Sequence, residues 1–309
     1  MIINTGQRTD IPAFYSEWFS NRLREGYVMV RNPYNPQSVN RYRLSPDVVD
    51  LISFCTKNPF PMLSRMDLLR PFRQLWHVTI TPYGQEVEPH VPDKRNVLEY
   101  FRRLSDIVGP ERMVWRYDPI FLSDTYPLER HIRAFEYMAK ALEGYTQTAV
   151  ISFIDLYEKT KRNFPEAKSV PREDRLTLGK AMAEIGKACG MTIRPCAEGK
   201  ILEQVGCDCR GCMTQDILEK AAGERLIISA HEPYRTGCSC YLGGDIGAYN
   251  TCAHLCLYCY ANSDADSVRQ NMRRHDPLSP MLIGHLQKGD VVHETKQETW
   301  IDGQIRMEF

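Results

Sequence analysis

The sequence predicts an α/β protein, a complete or partial parallel β/α barrel with a cysteine-rich C-terminal extension, and three observations predict it. Short apolar runs alternate with longer amphipathic ones before the cysteine-rich part, a pattern that implies a parallel sheet covered by helices. Six or seven such units fit a complete or partial barrel. Ten of the eleven cysteines fall after residue 188, with Cys55 the exception. The chain therefore divides into a barrel-like part, residues 1–200, and a cysteine-rich part, residues 201–309, that packs on the barrel mouth or continues the same domain.

Taken in order, the expected strands are Ile2–Asn4, Tyr27–Arg31, Leu51–Thr56, Trp76–Thr81, Met113–Tyr117, Ala149–Ile154 and Thr192–Pro195. Between them, apolar residues recur at three and four over Pro12–Arg24, Val97–Ile107, Leu128–Leu142 and Arg175–Ala188, which predicts helices. Asp10 is placed to cap the first helix, with Pro12 in its first turn. Charged and polar stretches at 163–174 and after Asp264 are expected to be surface loop and tail.

Composition narrows the function classes. Thirty-nine basic and thirty-nine acidic residues cancel, so no overall field steers the protein toward nucleic acid, which is not favoured as a partner. No segment has the apolar length of a membrane span or the layout of a signal peptide. A cytoplasmic protein is therefore expected, without a membrane partner. In a reducing compartment, clustered cysteines point to metal binding rather than to a disulfide framework.

One segment carries the chemistry. Asn250 to Asn262 puts Cys252, Cys256 and Cys259 on one short loop with C-x3-C-x2-C spacing. A cubane iron–sulfur cluster takes four thiolates when protein-saturated, so three thiols leave one iron free to bind something else. The loop, with Tyr258 just before its third cysteine, resembles the cluster motif of the radical S-adenosylmethionine (SAM) enzymes. That resemblance implies a TIM-like barrel and a [4Fe-4S] cluster on Cys252, Cys256 and Cys259, whose open iron holds SAM. It also implies reductive cleavage of SAM to start radical chemistry, with Tyr258 packed near the adenine and an electron donor such as ferredoxin or flavodoxin. The loop lies near the C-terminus, whereas those enzymes carry it after their first strand, so the resemblance implies a circularly permuted barrel or a cluster of another kind.

The wider chain resembles a bacterial and archaeal domain family of unknown function, known for a C-terminal cysteine cluster like the radical SAM one. The likeness rests on Arg8 to Ala13, Val30 to Pro33, Thr56 to Pro59, Cys196 to Glu198, Cys238 to Cys240 and Asp245 to Cys252. A more distant likeness, through Tyr258 to Ala261 and Thr56-Lys57, is to the spore photoproduct lyase group. Glu88, in Glu-Pro-His-Val-Pro, resembles a Glu-Pro stretch of that group and reads equally as a turn residue.

In β/α barrels the active site forms at the C-terminal strand ends. Arg8 and Asp10 are expected there, followed by Arg31 and Asn32, Thr56 to Asn58, Thr79 and Thr81, Arg116 and Asp118, and Ser152 and Asp155. Arg116 and Asp118 share a face by the period of two, as do Thr79 and Thr81. An arginine inside an apolar strand is costly unless paired or serving a ligand. It is either an Arg–Asp ion pair holding two strands or a ligand contact. Lys57, Arg116 and Asp118 are the candidate catalytic residues, and Arg8, Thr79 and Tyr258 the candidate cofactor-binding ones. Arg8, Lys57 and Arg116 together would make a pocket for the SAM carboxylate or an acidic substrate, although each taken alone reads as a solvated charge.

Four further thiols, Cys196, Cys212, Cys238 and Cys240, would fully ligate a second [4Fe-4S] cluster or a tetrahedral zinc ion. Cys207 or Cys209 could replace one of them, while Cys189 and Cys55 read as small buried residues. Two other functions remain open: an iron–sulfur electron carrier or sensor without SAM, and a zinc-stabilised binding module in which Cys238, Cys240 or His254 completes the coordination. The substrate cannot be read from the sequence, because fold does not imply function.

Overall fold

The structure, a computed structural model, describes residues 1–229 and 238–302. Its strands are β1 (Ile2–Asn4), β2 (Tyr27–Arg31), β3 (Ser38–Arg43), β4 (Leu51–Thr56), β5 (Gln74–Thr79), β6 (Met113–Ile120), β7 (Thr148–Phe153), β8 (Thr192–Pro195), β9 (Gly244–Asp245) and β10 (Val291–Glu294). Seven of them form one sheet in the order β8-β7-β6-β5-β4-β1-β9, with every neighbouring pair parallel. β10, β3 and β2 form a smaller sheet in which β2 and β3 are antiparallel.

The helices are α1 (Ile11–Phe14), α2 (Ser16–Glu25), α3 (Phe60–Leu63), α4 (Lys94–Val108), α5 (Leu128–Ala141), α6 (Glu158–Asn163), α7 (Arg172–Ala188), α8 (Gln215–Ala222) and α9 (Ala265–Arg273). Asp10 caps α1 by accepting from the Ala13 amide at 3.0 Å. The single helix expected over Pro12–Arg24 breaks at Tyr15, whose backbone leaves the helical region and whose hydroxyl donates to the Thr251 carbonyl at 2.6 Å. The interruption thus ties the first helices to the cysteine loop.

Alternation along the strands creates two faces with different fates. On one face Ile3, Ile52, Phe54, Trp76, Val78, Trp115 and Ile151 are buried against α1, α2, α4, α5 and α7. Phe54 and Trp76 stack there at 3.8 Å between ring centroids. On the opposite face, Ile2, Leu51, Leu75, Val114 and Val150 pack under α8, through Ile217, Leu218, Ala221 and Ala222. Further toward the C-terminal ends this second face turns polar. Asn4, Ser53, Cys55, His77, Thr79, Arg116, Asp118 and Ser152 line a cavity there.

Several expectations need correction. Tyr27–Arg31 is a strand, but it belongs to the small antiparallel hairpin. Its burial alternates between half-buried and buried, whereas an interior parallel strand must be apolar on both faces. The stretch after Asp264 is more than a tail, since Asp264 caps α9 by accepting from the Ser267 amide at 2.7 Å and β10 extends the small sheet. Nor does the sheet close into a complete barrel: among the described residues β8 and β9 are its edges. β9 has two residues, both occupied with β1, which is too little strand to bridge the gap. The segment after residue 200 is woven into both sheets through β9 and β10 and onto β5 through α8.

Gly243, just before β9, sits so close to β1 that a Cβ there would lie 1.8 Å from the Ile2 carbonyl oxygen. Gly243→Ala is therefore expected to push β9 off the β1 edge and destabilise the protein by about 1–3 kcal/mol, the usual cost of overpacking. Thermal unfolding measures the loss, and hydrogen exchange should place it at Ile2–Asn4 and Gly244–Asp245.

Candidate functional site

The cysteine loop has almost no regular structure, so its shape comes from turns and side-chain ties. Asn250 and Leu255 adopt left-handed backbone angles, with φ of 58° and 53°, a conformation uncommon for residues other than glycine. Leu255 thereby reverses the chain between Cys252 and Cys256. The Asn250 amide donates to the Ala261 carbonyl at 3.1 Å and the Asn262 side chain to the Cys252 carbonyl at 2.8 Å, closing the loop on itself.

Two buried carboxylates hold this loop to the strand ends. Asp10 Oδ2 meets His254 Nε2 at 2.9 Å and accepts from the Lys57 amide at 2.8 Å, joining the loops after β1 and β4 to the cysteines. The other ring nitrogen of His254 faces the His90 carbonyl at 3.3 Å, so both nitrogens are engaged and the histidine is structural. Glu88, the residue read equally as a turn, is 1 % exposed. It accepts from Lys57 Nζ at 2.8 Å, from Thr81 at 2.7 Å, and from Lys94 and the Tyr258 hydroxyl. Burial pushes its carboxyl up, but the Lys57 and Lys94 ammonium groups outweigh that and hold it down at about 2. Lys57 is correspondingly held above its ordinary value against burial.

All thirteen candidate catalytic, cofactor-binding and metal-ligating residues line one cavity of about 520 Å³. They are Lys57, Arg116 and Asp118; Arg8, Thr79 and Tyr258; Cys252, Cys256 and Cys259; and Cys196, Cys212, Cys238 and Cys240. Arg31 does not join them, since it sits on the small sheet paired with Asp290. Thr81 serves Glu88 instead, and Asn58 turns to accept from the Phe60 amide.

The cations are paired. Arg8 bonds the Asp245 carboxylate and donates to its carbonyl at 2.8 Å. Arg116 donates through Nε to Asp118 at 3.0 Å, and Ser152 of β7 donates to the other oxygen of Asp118. The Arg116–Asp118 pair thus lies on one strand, β6, and the link between strands is Asp118 to Ser152. A register irregularity between Tyr117 and Ile120 adjoins it, a feature that re-aims side chains at sites. Burial raises the Asp118 carboxyl, yet Arg116 and Ser152 bring it below its usual range. The lining charges balance, with Arg8, Lys57 and Arg116 against Asp10, Asp118 and Asp155. The expected anion-binding pocket is therefore a set of ion pairs, which suits a polar neutral ligand better than an acidic one.

The thiols form two groups. Burial pushes all three loop thiols up, Cys256 to about 12, so as bare thiols they are protonated and poor nucleophiles. A bound metal would change this, since it deprotonates a thiol outright. In the second group Cys212 Sγ lies 3.6 Å from Cys196 Sγ and 3.3 Å from Cys240 Sγ, and Cys238 is hydrogen-bonded to Cys240. Cys207 points instead at the Gly179 carbonyl, within the helix-side core, and Cys209 packs at that core's edge. Among the described residues no three or more His, Cys, Asp or Glu side chains already converge on an ion-sized point.

Several cavity residues escaped the sequence reading, Cys55 and His77 among them. Cys55, expected to be buried in its strand, faces the cavity. His77, beside Cys55 in register, is 2 % exposed and neither ring nitrogen has a hydrogen-bond partner. Burial, with Arg116 nearby, lowers its imidazole to about 3, so it is neutral. The signal was present: His77 stands two residues before Thr79 on the same strand face.

Fold and site together define an α/β protein with a parallel sheet whose polar strand ends, two thiol groups and buried ion pairs enclose one cavity. The chain belongs to the family described as "Domain of unknown function (DUF1848)", which it matches over residues 2–261. No curated protein and no solved structure matches it. Among the described residues no helix is long and apolar enough to cross a membrane.

Glu88→Ala leaves the half-buried Lys57 and Lys94 without their counter-charge, for an expected loss of about 3 kcal/mol. Because the folded carboxyl lies below its ordinary 4.5, the stabilisation is full above that pH and lost as pH falls through about 2. Denaturant titrations at pH 7 and pH 3 should show the variant's deficit shrinking at the lower pH.

Proposed function

We propose that Cys252, Cys256 and Cys259 hold a [4Fe-4S] cluster with one open iron, that SAM binds there, and that the protein is a radical SAM-type enzyme. The observation that carries this reading is the placement of a C-x3-C-x2-C thiol trio on the wall of a 520 Å³ cavity at the C-terminal ends of parallel strands. The donor set suits the group, since it offers three soft thiols and His254, the nearest alternative ligand, is engaged through both nitrogens. When bound, the cluster supplies the electron that cleaves SAM and begins radical chemistry. A ferredoxin or flavodoxin is the proposed electron source.

The chain's own residues bind, orient and shield. The Lys57 ammonium, close enough to Cys256 for their charges to interact, offsets thiolate charge. Glu88 holds that lysine and Tyr258 in place. The floor offers Thr79, the Arg116–Asp118–Ser152 chain and the unpartnered His77 imidazole for hydrogen bonds to substrate. Helices α1, α2, α4, α5 and α7 on one face and the cavity on the other support a partial barrel, permuted relative to the radical SAM arrangement. The balanced lining charges keep nucleic acid disfavoured, since strand binding needs a positive groove.

The runner-up, an electron carrier or sensor, needs no substrate space, and the cavity favours the enzyme over it. Anaerobically reconstituted protein, given SAM and dithionite, is expected to release 5′-deoxyadenosine. Replacing Cys252, Cys256 or Cys259 by Ala should reduce release to background together with loss of iron and sulfide. Absence of the nucleoside from fully loaded wild-type protein would refute the SAM reading and leave the carrier.

A further inference from the structure

We infer that Cys196, Cys212, Cys238 and Cys240 bind one tetrahedral zinc ion, which staples the two edges of the open sheet together beneath the cavity. The four thiols come from three separate stretches: the end of β8, the turn before α8 and the segment leading into β9. β8 and β9 are the two edges of the sheet. The thiols are thus where the edges meet, and an ion there would make the connection that β9 is too short to make by hydrogen bonding.

Spacing selects a single ion over a second cluster. With Zn–S bonds of about 2.3 Å, a tetrahedron of sulfurs has edges of about 3.8 Å. The Sγ separations of 3.6 Å and 3.3 Å at Cys212 need shifts of only a few tenths of an ångström to reach it. A cubane's thiolates each sit on a different iron, so they are spread wider than those of one ion. Although the thiols do not yet converge on one point, they are linked in a row, Cys196 to Cys212 to Cys240 to Cys238, and all are buried, at 4–9 % exposure.

The surroundings are those of bound thiolates. The Met213 amide donates to Cys240 Sγ at 3.3 Å, and Arg116 Nη1 to Cys212 Sγ at 3.7 Å. Gly211 precedes Cys212 on a backbone with φ of +122°, a conformation that side chains rarely adopt, and so shapes the turn that presents Cys212. Binding would release the four thiol protons and leave a doubly negative centre beside the Arg116 guanidinium. A four-thiolate site is closed and has no open position for substrate, so its role is structural.

The test isolates this site from the loop. The full-length triple variant C252A/C256A/C259A, expressed with zinc and iron available, should contain one zinc per chain, no sulfide, and an X-ray absorption spectrum of four sulfurs at about 2.3 Å. Adding C212A should remove the zinc. Chelation should raise hydrogen exchange at residues 192–196 and 238–245 while leaving β4 and β5 protected. Iron with sulfide in the triple variant would establish a second cluster instead, iron alone would overturn the assignment of zinc, and metal-free thiols or disulfides would overturn the site. None of these outcomes depends on SAM cleavage, so failure here is distinguishable from failure of the radical reading.

Discussion

The cysteine loop lacks a helix or strand to fix it, so everything proposed for it depends on two buried carboxylates. Asp10 fixes the loop through His254, and Glu88 through Tyr258, while each also holds Lys57, one by its backbone and the other by its ammonium. Burying a charge is costly unless it is paired and hydrogen-bonded. Glu88 accepts four donors and is fully compensated. The outcome is a loop with little regular structure but a defined position, over the strand ends.

The same logic governs the cavity floor. Arg8 and Arg116 are each met by an aspartate, and Ser152 completes the Asp118 shell. Satisfied pairs of this kind give a rigid polar surface without a net field. His77 departs from this pattern, a neutral imidazole with two unpaired nitrogens, and Asn4, Gln7 and Thr9 on the same cavity wall each carry an unpartnered polar atom too. Buried polar groups without partners are uncommon in native proteins and call for an explanation. A ligand in the cavity would provide one.

Much of this was legible in the sequence. β1 and β4 stand where the apolar runs begin and end, because interior parallel strands are hydrophobic segments bounded by polar turns; the edge strand β8 also keeps its expected bounds. The thirteen residues chosen by thiol spacing, by strand-end position and by the family resemblance all line the one cavity. What was not legible has physical causes. β9 is only Gly244–Asp245, with no pattern to read, and β3 reads Ser-Val-Asn-Arg-Tyr-Arg, a polar stretch held by its hairpin partner. Sheet closure depends on edges far apart in the chain. Pairing also lay beyond periodicity, which placed Arg8, Lys57 and Arg116 together but could not supply Asp245 and Glu88 as their counter-charges.

The central claim is that one iron of a cluster on the cysteine loop is free to bind SAM. Electron paramagnetic resonance of the reconstituted and reduced wild-type protein, in which a zinc ion at the second thiol group would be silent, tests it most directly. The account predicts a reduced [4Fe-4S] signal that changes shape when SAM is added, because SAM coordinates the cluster itself. A cluster signal that SAM leaves unaltered, or no cluster at all, would contradict it.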